Sequence, residues 1–379
     1  MLGWYCPTWM AKNIIEGAAL RLTVNTSSFI FAFLIALSGG LVFSLLSIPV
    51  PWLLGPMSAI MIADRFKGLS LSWLRSLRDV ALMLIGYSIG LSFTSSSVEN
   101  IIENLPAMLI MTVILVASAA LISKVISRLS GVDYPTVLIG SIPGGLSQMI
   151  IFAEEMKGID VTTVTFLQVS RLLMIVFVVP FIIFGPVFDI SHMKNELAGS
   201  GPFIFDPFMF FIFSIVCILG VIIGKELRLP TPFLLGPLLG TAIMTYSGYT
   251  GPTLPTSVMD ASQLMIGGYI GILLKPEKLK KKASTIILAL LSGFLLVIGS
   301  LVLSFFLSDA LNIDIVTSFL SLAPGGMDQM GIIAHEVSAD LSIVSGFQIF
   351  RLFFIYFVVP PVLRWYFIRR KINRKEDSH

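Results

Sequence analysis

One stretch of this chain is written twice. Pro143-Gly-Gly-Leu-Ser-Gln-Met-Ile-Ile-Phe-Ala-Glu-Glu155 returns 181 residues later as Pro324-Gly-Gly-Met-Asp-Gln-Met-Gly-Ile-Ile-Ala-His-Glu336, with eight of thirteen positions identical. The same offset pairs Pro49, Pro51, Gly55 and Pro56 with Pro230, Pro232, Gly236 and Pro237, and Asp79, Gly86 and Gly90 with Asp260, Gly267 and Gly271. One residue is then lost. An offset of 180 matches Asp160, Gln168, Arg171 and Pro180 with Asp340, Gln348, Arg351 and Pro360. A register held this long cannot come from shared hydrophobicity, so the chain folds as two copies of one unit. We place the repeats at 27–190 and 208–369, with an N-terminal segment (1–26), a linker (191–207) and a basic cytoplasmic tail (370–379).

The unit belongs in a bilayer. The chain is 56% apolar and 12% charged, with a mean hydropathy of +0.93, far from a soluble protein's balance. Runs such as Ser28–Leu46, Leu105–Leu121, Phe208–Gly224 and Ile286–Phe306 approach the roughly 20 residues that a span requires. No stretch remains for a sizeable soluble domain. The opening residues lack the apolar core and small-residue cleavage site of a signal peptide. Cys6 and Cys217 read as free thiols, since two distant cysteines make no disulfide framework.

Lysine and arginine mark the cytoplasmic side of a membrane protein. In the first repeat they follow the second segment (Arg65, Lys67, Arg75, Arg78) and the fourth (Lys124, Arg128), while Glu99 and Glu103 lie between the third and fourth. The second repeat has the opposite phase. Lys225 and Arg228 follow its first segment, Lys275, Lys278, Lys280, Lys281 and Lys282 its third, and Asp309 and Asp314 its fourth, ahead of Arg364, Arg369, Arg370 and Lys371. The two copies are therefore expected to enter from opposite sides. Between Lys282 and Arg364 lie three apolar segments where an even number of crossings is needed, so one must leave on the side it entered. The middle segment is the candidate, because Pro324-Gly325-Gly326 splits it, and Pro135–Lys157 is its counterpart. The expected fold is an all-α integral membrane protein with inverted-topology repeats. Each has five transmembrane helices and one re-entrant helical hairpin, ten crossings in all; a broken helix that does cross is the rival.

Broken backbone at membrane depth survives only when buried in protein or lining a wet cavity. Paired breaks in inverted halves point to a solute site. The arms that follow begin near Leu146 and Met327, aiming unpaired N–H groups at the tips. The expected solute- or ion-binding residues are thus Gly144, Gly145, Ser147, Gln148, Gly325, Gly326, Asp328 and Gln329. The bland reading is that Pro-Gly-Gly merely bends a helix for packing. Gln168 and Arg171, with Gln348 and Arg351, share one face of the last segments and join the candidates. Ionisable groups at the centre of a span cost at least about 2.5–3.5 kcal/mol each, so each arginine either binds an anion or closes a structural pair with Glu155 or Glu336. Glu154, Glu155, Asp160, His335, Glu336 and Asp340 are candidates for proton or ion coupling. His335 is the asymmetric member and an ordinary proton carrier, or simply a loop histidine. The paired Pro-x-Pro-x-Leu-Leu-Gly-Pro motifs at 49–56 and 230–237 read as structural helix starts.

These motifs, with the downstream Gln-x-x-Arg, resemble the AbrB membrane-protein family of bacteria over nearly the whole chain. Members carry a duplicated domain and bear labels that include transporter, regulator and ammonia monooxygenase. A copper monooxygenase needs clustered histidine ligands, whereas His192, His335 and His379 are scattered. No helix-turn-helix or extra soluble domain supports direct nucleic-acid binding, so an effect on transcription is expected to be indirect. The plan is also similar to that of elevator-type carriers, which are commonly dimers; that likeness rests on fold alone. We expect a secondary transporter of a small solute in the bacterial cytoplasmic membrane, the C-terminus inside, working by elevator-like alternating access. Paired arginines and helix N-termini favour an organic anion, a carboxylate coupled to H⁺ or Na⁺. No Gly-x-x-x-x-Gly-Lys-Ser/Thr motif suggests built-in ATP hydrolysis, and no nucleophile–base pair, metal or cofactor site suggests an enzyme. The alternative is a membrane sensor or regulator that binds the solute without moving it.

Overall fold

A computed structural model describes residues 26–66, 71–156, 158–185, 188, 206–273 and 283–376. The side chains of 26, 146, 147, 283–286 and 368–376 are outside that description. So residues 1–25 of the N-terminal segment, 191–205 of the linker, Lys67, Lys275–Lys282, and the side chains of Ser147, Arg369, Arg370 and Lys371 lie beyond the described residues. The backbone expected to be tail continues as helix to Glu376.

The described residues form sixteen α-helices and no strand. In the first repeat they are α1 (Thr26–Leu45), α2 (Pro51–Ala63), α3 (Arg75–Gly90), α4 (Ser95–Glu103), α5 (Leu105–Ser130), α6 (Tyr134–Ser141), α7 (Leu146–Glu155) and α8 (Val161–Ile183). In the second they are α9 (Pro207–Glu226), α10 (Pro232–Tyr246), α11 (Thr256–Leu273), α12 (Ala283–Leu311), α13 (Ile315–Leu322), α14 (Met327–Glu336), α15 (Leu341–Phe357) and α16 (Val359–Glu376). The duplication thus extends to helix starts: α1 and α9, α2 and α10, α6 and α13, and α7 and α14 begin 181 residues apart.

Local chemistry explains these boundaries. Pro51 and Pro232 sit at the first helical position, where the missing N–H costs nothing. The residues before them, Val50 (φ 46°) and Thr231 (φ 50°), are both held in the left-handed region, which β-branched side chains avoid. The same strain at the same place in both copies marks it as part of the unit. Gly55 lies against the backbone of Gly39, and Gly236 against Gly220, so closely that an added Cβ would strike the facing carbonyl. Each short second helix is clamped in this way to the long helix before it.

Among the described residues six helical spans are long and apolar enough to cross a bilayer: Ser27–Leu45, Leu105–Ser130, Val161–Ile183, Pro207–Glu226, Ile287–Leu311 and Leu341–Phe367. A seventh exists if α3 and α4, bent by 87°, are taken together. The protein is an all-α, multi-pass membrane protein. Ten crossings would also need α11 and the short α2 and α10, whose 13 and 15 residues rise only about 20–23 Å against a hydrocarbon core of about 30 Å. Their proline-bounded starts keep them short.

Two compact units divide the chain. The smaller holds α1, α2 and the part of α11 from Leu264 onward. Its core gathers Ala32, Ala36, Ile60 and Leu264 around Trp73, whose indole N–H donates to the Met265 carbonyl at 3.0 Å. The larger unit runs from Asp79 to Gln263 and from Pro276 onward. Within it α8 is 56% buried over its apolar window, against 22% for α5 and for α9. The long helices α5 and α9 present rows of exposed apolar side chains, such as Leu109, Ile110 and Val113 or Ile215, Ile218 and Ile222. Faces of this size fit lipid and not water.

Candidate functional site

Both Pro-Gly-Gly sequences interrupt helices inside the larger unit. Asp133 caps α6 by accepting from Thr136 N at 3.1 Å, and Asp314 caps α13 through Val316 N and Thr317 N at 2.7 and 3.2 Å. Each arm lasts eight residues. At Ile142 and Ala323 the backbone turns extended, ψ 128° and 129°. Proline then removes the next donor, and glycine closes a tight turn: Gly144 N bonds to Ile142 O, and Gly325 N to Ala323 O, both at 2.8 Å. The second arms, α7 and α14, start at Leu146 and Met327.

Such a break leaves the last carbonyls of the first arm without intrahelical donors. In both repeats the Gln-x-x-Arg pair supplies them. Arg171 donates through Nη1 to Ser141 O (3.3 Å) and Ile142 O (2.7 Å) and through Nη2 to Gly144 O (3.5 Å) and Gln168 Oε1 (2.7 Å). Gln168 Nε2 reaches Ile139 O and Ile142 O at 3.0 and 3.1 Å. Arg351 repeats the pattern on Leu322 O (3.3 Å), Ala323 O (2.7 Å), Gly325 O (2.8 Å) and the Gln348 side-chain oxygen. Gln348 Nε2 serves Leu320 O, Ser321 O and Ala323 O. All four side chains are buried. Each guanidinium therefore sits at the negative dipole end of a short helix, and neither pairs with Glu155 or Glu336. Every acceptor among the described residues is a neutral oxygen. The Arg351 charge is close enough to act on Arg171.

The two breaks also meet the opposite repeat. A Cβ on Gly144 would touch Met149 and Ile355 of α15; one on Gly325 would touch Met330 and Ile175 of α8. The first glycine of each tip is thus sealed by apolar atoms. The second is bordered by polar ones: Gly145 by Gln148, and Gly326 by Asp328 and Gln329. All four glycines are half-buried. The tips differ in how their glutamines are used. Gln329 Oε1 accepts from Gly326 N at 3.1 Å; Gln148 Oε1 is buried with no partner, as is Arg171 Nε.

The acidic candidates scatter. Asp160 and Asp340 cap α8 and α15, through Thr162 N at 3.1 Å and through Ser342 N and Ile343 N at 2.9 and 3.1 Å. They also tie the helix starts to the first arms, since their own N–H groups reach Thr136 Oγ1 and Thr317 Oγ1 at 3.3 and 3.2 Å. Glu154 is exposed and His335 half-buried. Glu155 forms an ion pair with Arg364, and Glu336 accepts from Gln263 Nε2 at 2.6 Å. Asp133, Thr136 and Thr317 were not singled out from the sequence, and Asp314 only for its charge, although their spacing of 181 residues is a readable signal. Gln263 had none, because its counterpart is Leu82.

A family model described as "Transition state regulatory protein AbrB" matches residues 52–367. The chain is similar to "Uncharacterized protein YhjN" of Bacillus subtilis (strain 168), 25% identical over 358 residues covering 87% of this chain and 91% of that protein. It is also similar to "Putative regulator AbrB" of Escherichia coli (strain K12), 27% identical over 324 residues, 84% of this chain and 90% of that protein. With the doubled Pro-Gly-Gly break and its Gln-x-x-Arg clamp inside the matched region, the chain belongs to the AbrB family.

Proposed function

We propose that the protein is a secondary carrier of a small organic anion, with a carboxylate as the class of solute and a cation gradient as the driving force. One observation carries this reading: two buried guanidiniums, bonded only to neutral oxygens, lie beside two polar, half-buried glycine tips. Buried charge without a counter-ion is costly. Carbonyl dipoles offset part of it, and an anion at the tips offsets more. The helix starts after each break add N–H donors aimed the same way. Gln148 Oε1 and Arg171 Nε, both buried without partners, leave polar capacity that a solute can take up, since buried polar atoms are seldom left unmatched.

In this reading the Pro-Gly-Gly turns are tips of re-entrant hairpins in two repeats of inverted topology, as the alternating lysine and arginine loops require. The hairpins carry the solute across in an elevator-like step. The C-terminal end lies in the cytoplasm of a bacterial cell. The family description and one relative's name speak of regulation, which favours a solute-binding membrane sensor as the second reading.

Purified protein in proteoliposomes separates the two. With labelled small carboxylates outside and an inward Na⁺ or H⁺ gradient, the carrier accumulates solute, and Gln148→Ala slows accumulation while the protein stays folded. Binding without accumulation supports the sensor instead. Neither binding nor accumulation of any carboxylate overturns both.

A further inference from the structure

The repeat is broken at one place of some consequence. Glu155 of the first copy is neutralised by Arg364, whose guanidinium also lies 5.7 Å from the Phe152 ring centre. The repeat relates position 364 to Phe184, so Glu336 is not provided with the same cation. It meets α11 instead. Gln263, 1% exposed, donates to Glu336 Oε1 at 2.6 Å, while its own Oε1 is buried with no partner. Asp260 lies one turn earlier on the same helix face, half-buried and close enough for the Glu336 charge to act on it. Among the described residues no Lys or Arg pairs with Asp260 or Glu336. In the first copy Leu82 stands where Gln263 stands here.

We propose that Asp260, Gln263 and Glu336 bind a small hard cation, Na⁺. Two carboxylates held together without a cation repel each other, and a positive ion between them removes that cost. Glu336 also ends α14, where the negative end of the helix dipole favours a cation. The orphaned Gln263 oxygen selects among occupants: a proton shared by the two acids leaves it unmatched, whereas an oxygen-ligated ion engages it. Hard oxygen donors disfavour the softer transition metals. The site stands on its own residues; calling its ion the coupling ion rests on the transport reading.

The test is equilibrium binding of ²²Na⁺ to the purified full-length protein, together with its melting temperature in NaCl against choline chloride at constant ionic strength. Saturable binding and Na⁺-dependent stabilisation are expected. Gln263→Leu, which copies the first repeat, and Asp260→Asn weaken Na⁺ binding by roughly tenfold or more, the scale of losing a metal contact. Glu155→Gln leaves it unchanged. Both Asp260→Asn and Gln263→Leu are scored only as folded protein by size-exclusion profile, and either one suffices. No Na⁺ binding by the wild-type protein, binding indifferent to both substitutions, or stabilisation that follows pH and not Na⁺ overturns the site. Na⁺ binding here without gradient-driven solute uptake sinks the transport reading and leaves the site standing. Uptake with no Na⁺ binding does the reverse.

Discussion

The two breaks have one frame and different furnishings. Aspartate caps, threonine ties, the Pro-Gly-Gly turn and the Gln-x-x-Arg clamp recur at equivalent positions, the widest gap being Arg171 to Gly144 O at 3.5 Å against Arg351 to Gly325 O at 2.8 Å. What surrounds the frame has diverged. Gln329 Oε1 accepts from the N–H of its tip glycine whereas Gln148 Oε1 has no partner, Asp328 stands where the first copy has Ser147, and Glu336 faces an amide where Glu155 faces a guanidinium. The difference teaches which contacts hold the architecture. Those common to both copies satisfy backbone groups that the break exposes, a need set by geometry alone. Those that differ are free of that duty and can serve chemistry specific to one side.

The sharpest challenge to this division is the clamp itself. Arg351→Ala strands the carbonyls of Leu322 and Gly325 and takes one of three donors from Ala323 O, and each buried acceptor left unpaired costs about 1–3 kcal/mol. A loss of about 3 kcal/mol or more is expected in thermal unfolding of the detergent-solubilised protein. Arg171→Ala is expected to cost less, because its reach to Gly144 O is 3.5 Å where Arg351 reaches Gly325 O at 2.8 Å. The reverse order would show that the reach to the tip glycine does not set what each clamp contributes.

Next in size are Gln168→Leu and Gln348→Leu, each expected to cost about 1–3 kcal/mol for the same reason and by similar amounts in the two copies. Hydrogen exchange at the tips offers a second readout, with faster exchange confined to the altered break. Replacing the capping aspartates, Asp160→Ala and Asp340→Ala, is expected to cost about 1 kcal/mol each, seen as matched drops in melting temperature. A much larger effect on solute uptake than on stability in only one of them would move that aspartate from frame to chemistry. Smallest is Glu155→Gln. Its pair with Arg364 is about half exposed on both sides, and exposed pairs contribute about 0–1 kcal/mol, so the melting temperature should barely move.

Much of the fold is legible in the sequence. Proline and glycine impose backbone consequences wherever they stand, so the interruptions at 143–145 and 324–326 could be read directly, as could the helix starts at Pro51 and Pro232. Long apolar runs announce spans in the same local way. The short second helices were less legible, because apolar composition does not reveal that α2 stops after 13 residues. The roles of the charged residues were least legible. Arg171 could be matched to Arg351 from spacing, yet nothing in the spacing indicated that both would turn to carbonyls in place of Glu155 and Glu336.

The sequence by itself therefore determined the duplication, the all-helical membrane character and the two places where helix must give way, since these depend on covalent backbone chemistry and local hydrophobicity. Only the tertiary structure decided that each tip is sealed by the other repeat's helix, that Arg364 attends Glu155, and that Asp260, Gln263 and Glu336 converge. Such pairings join residues up to 209 positions apart, and which partner a long polar side chain finds is set by how helices pack, a property no local pattern encodes.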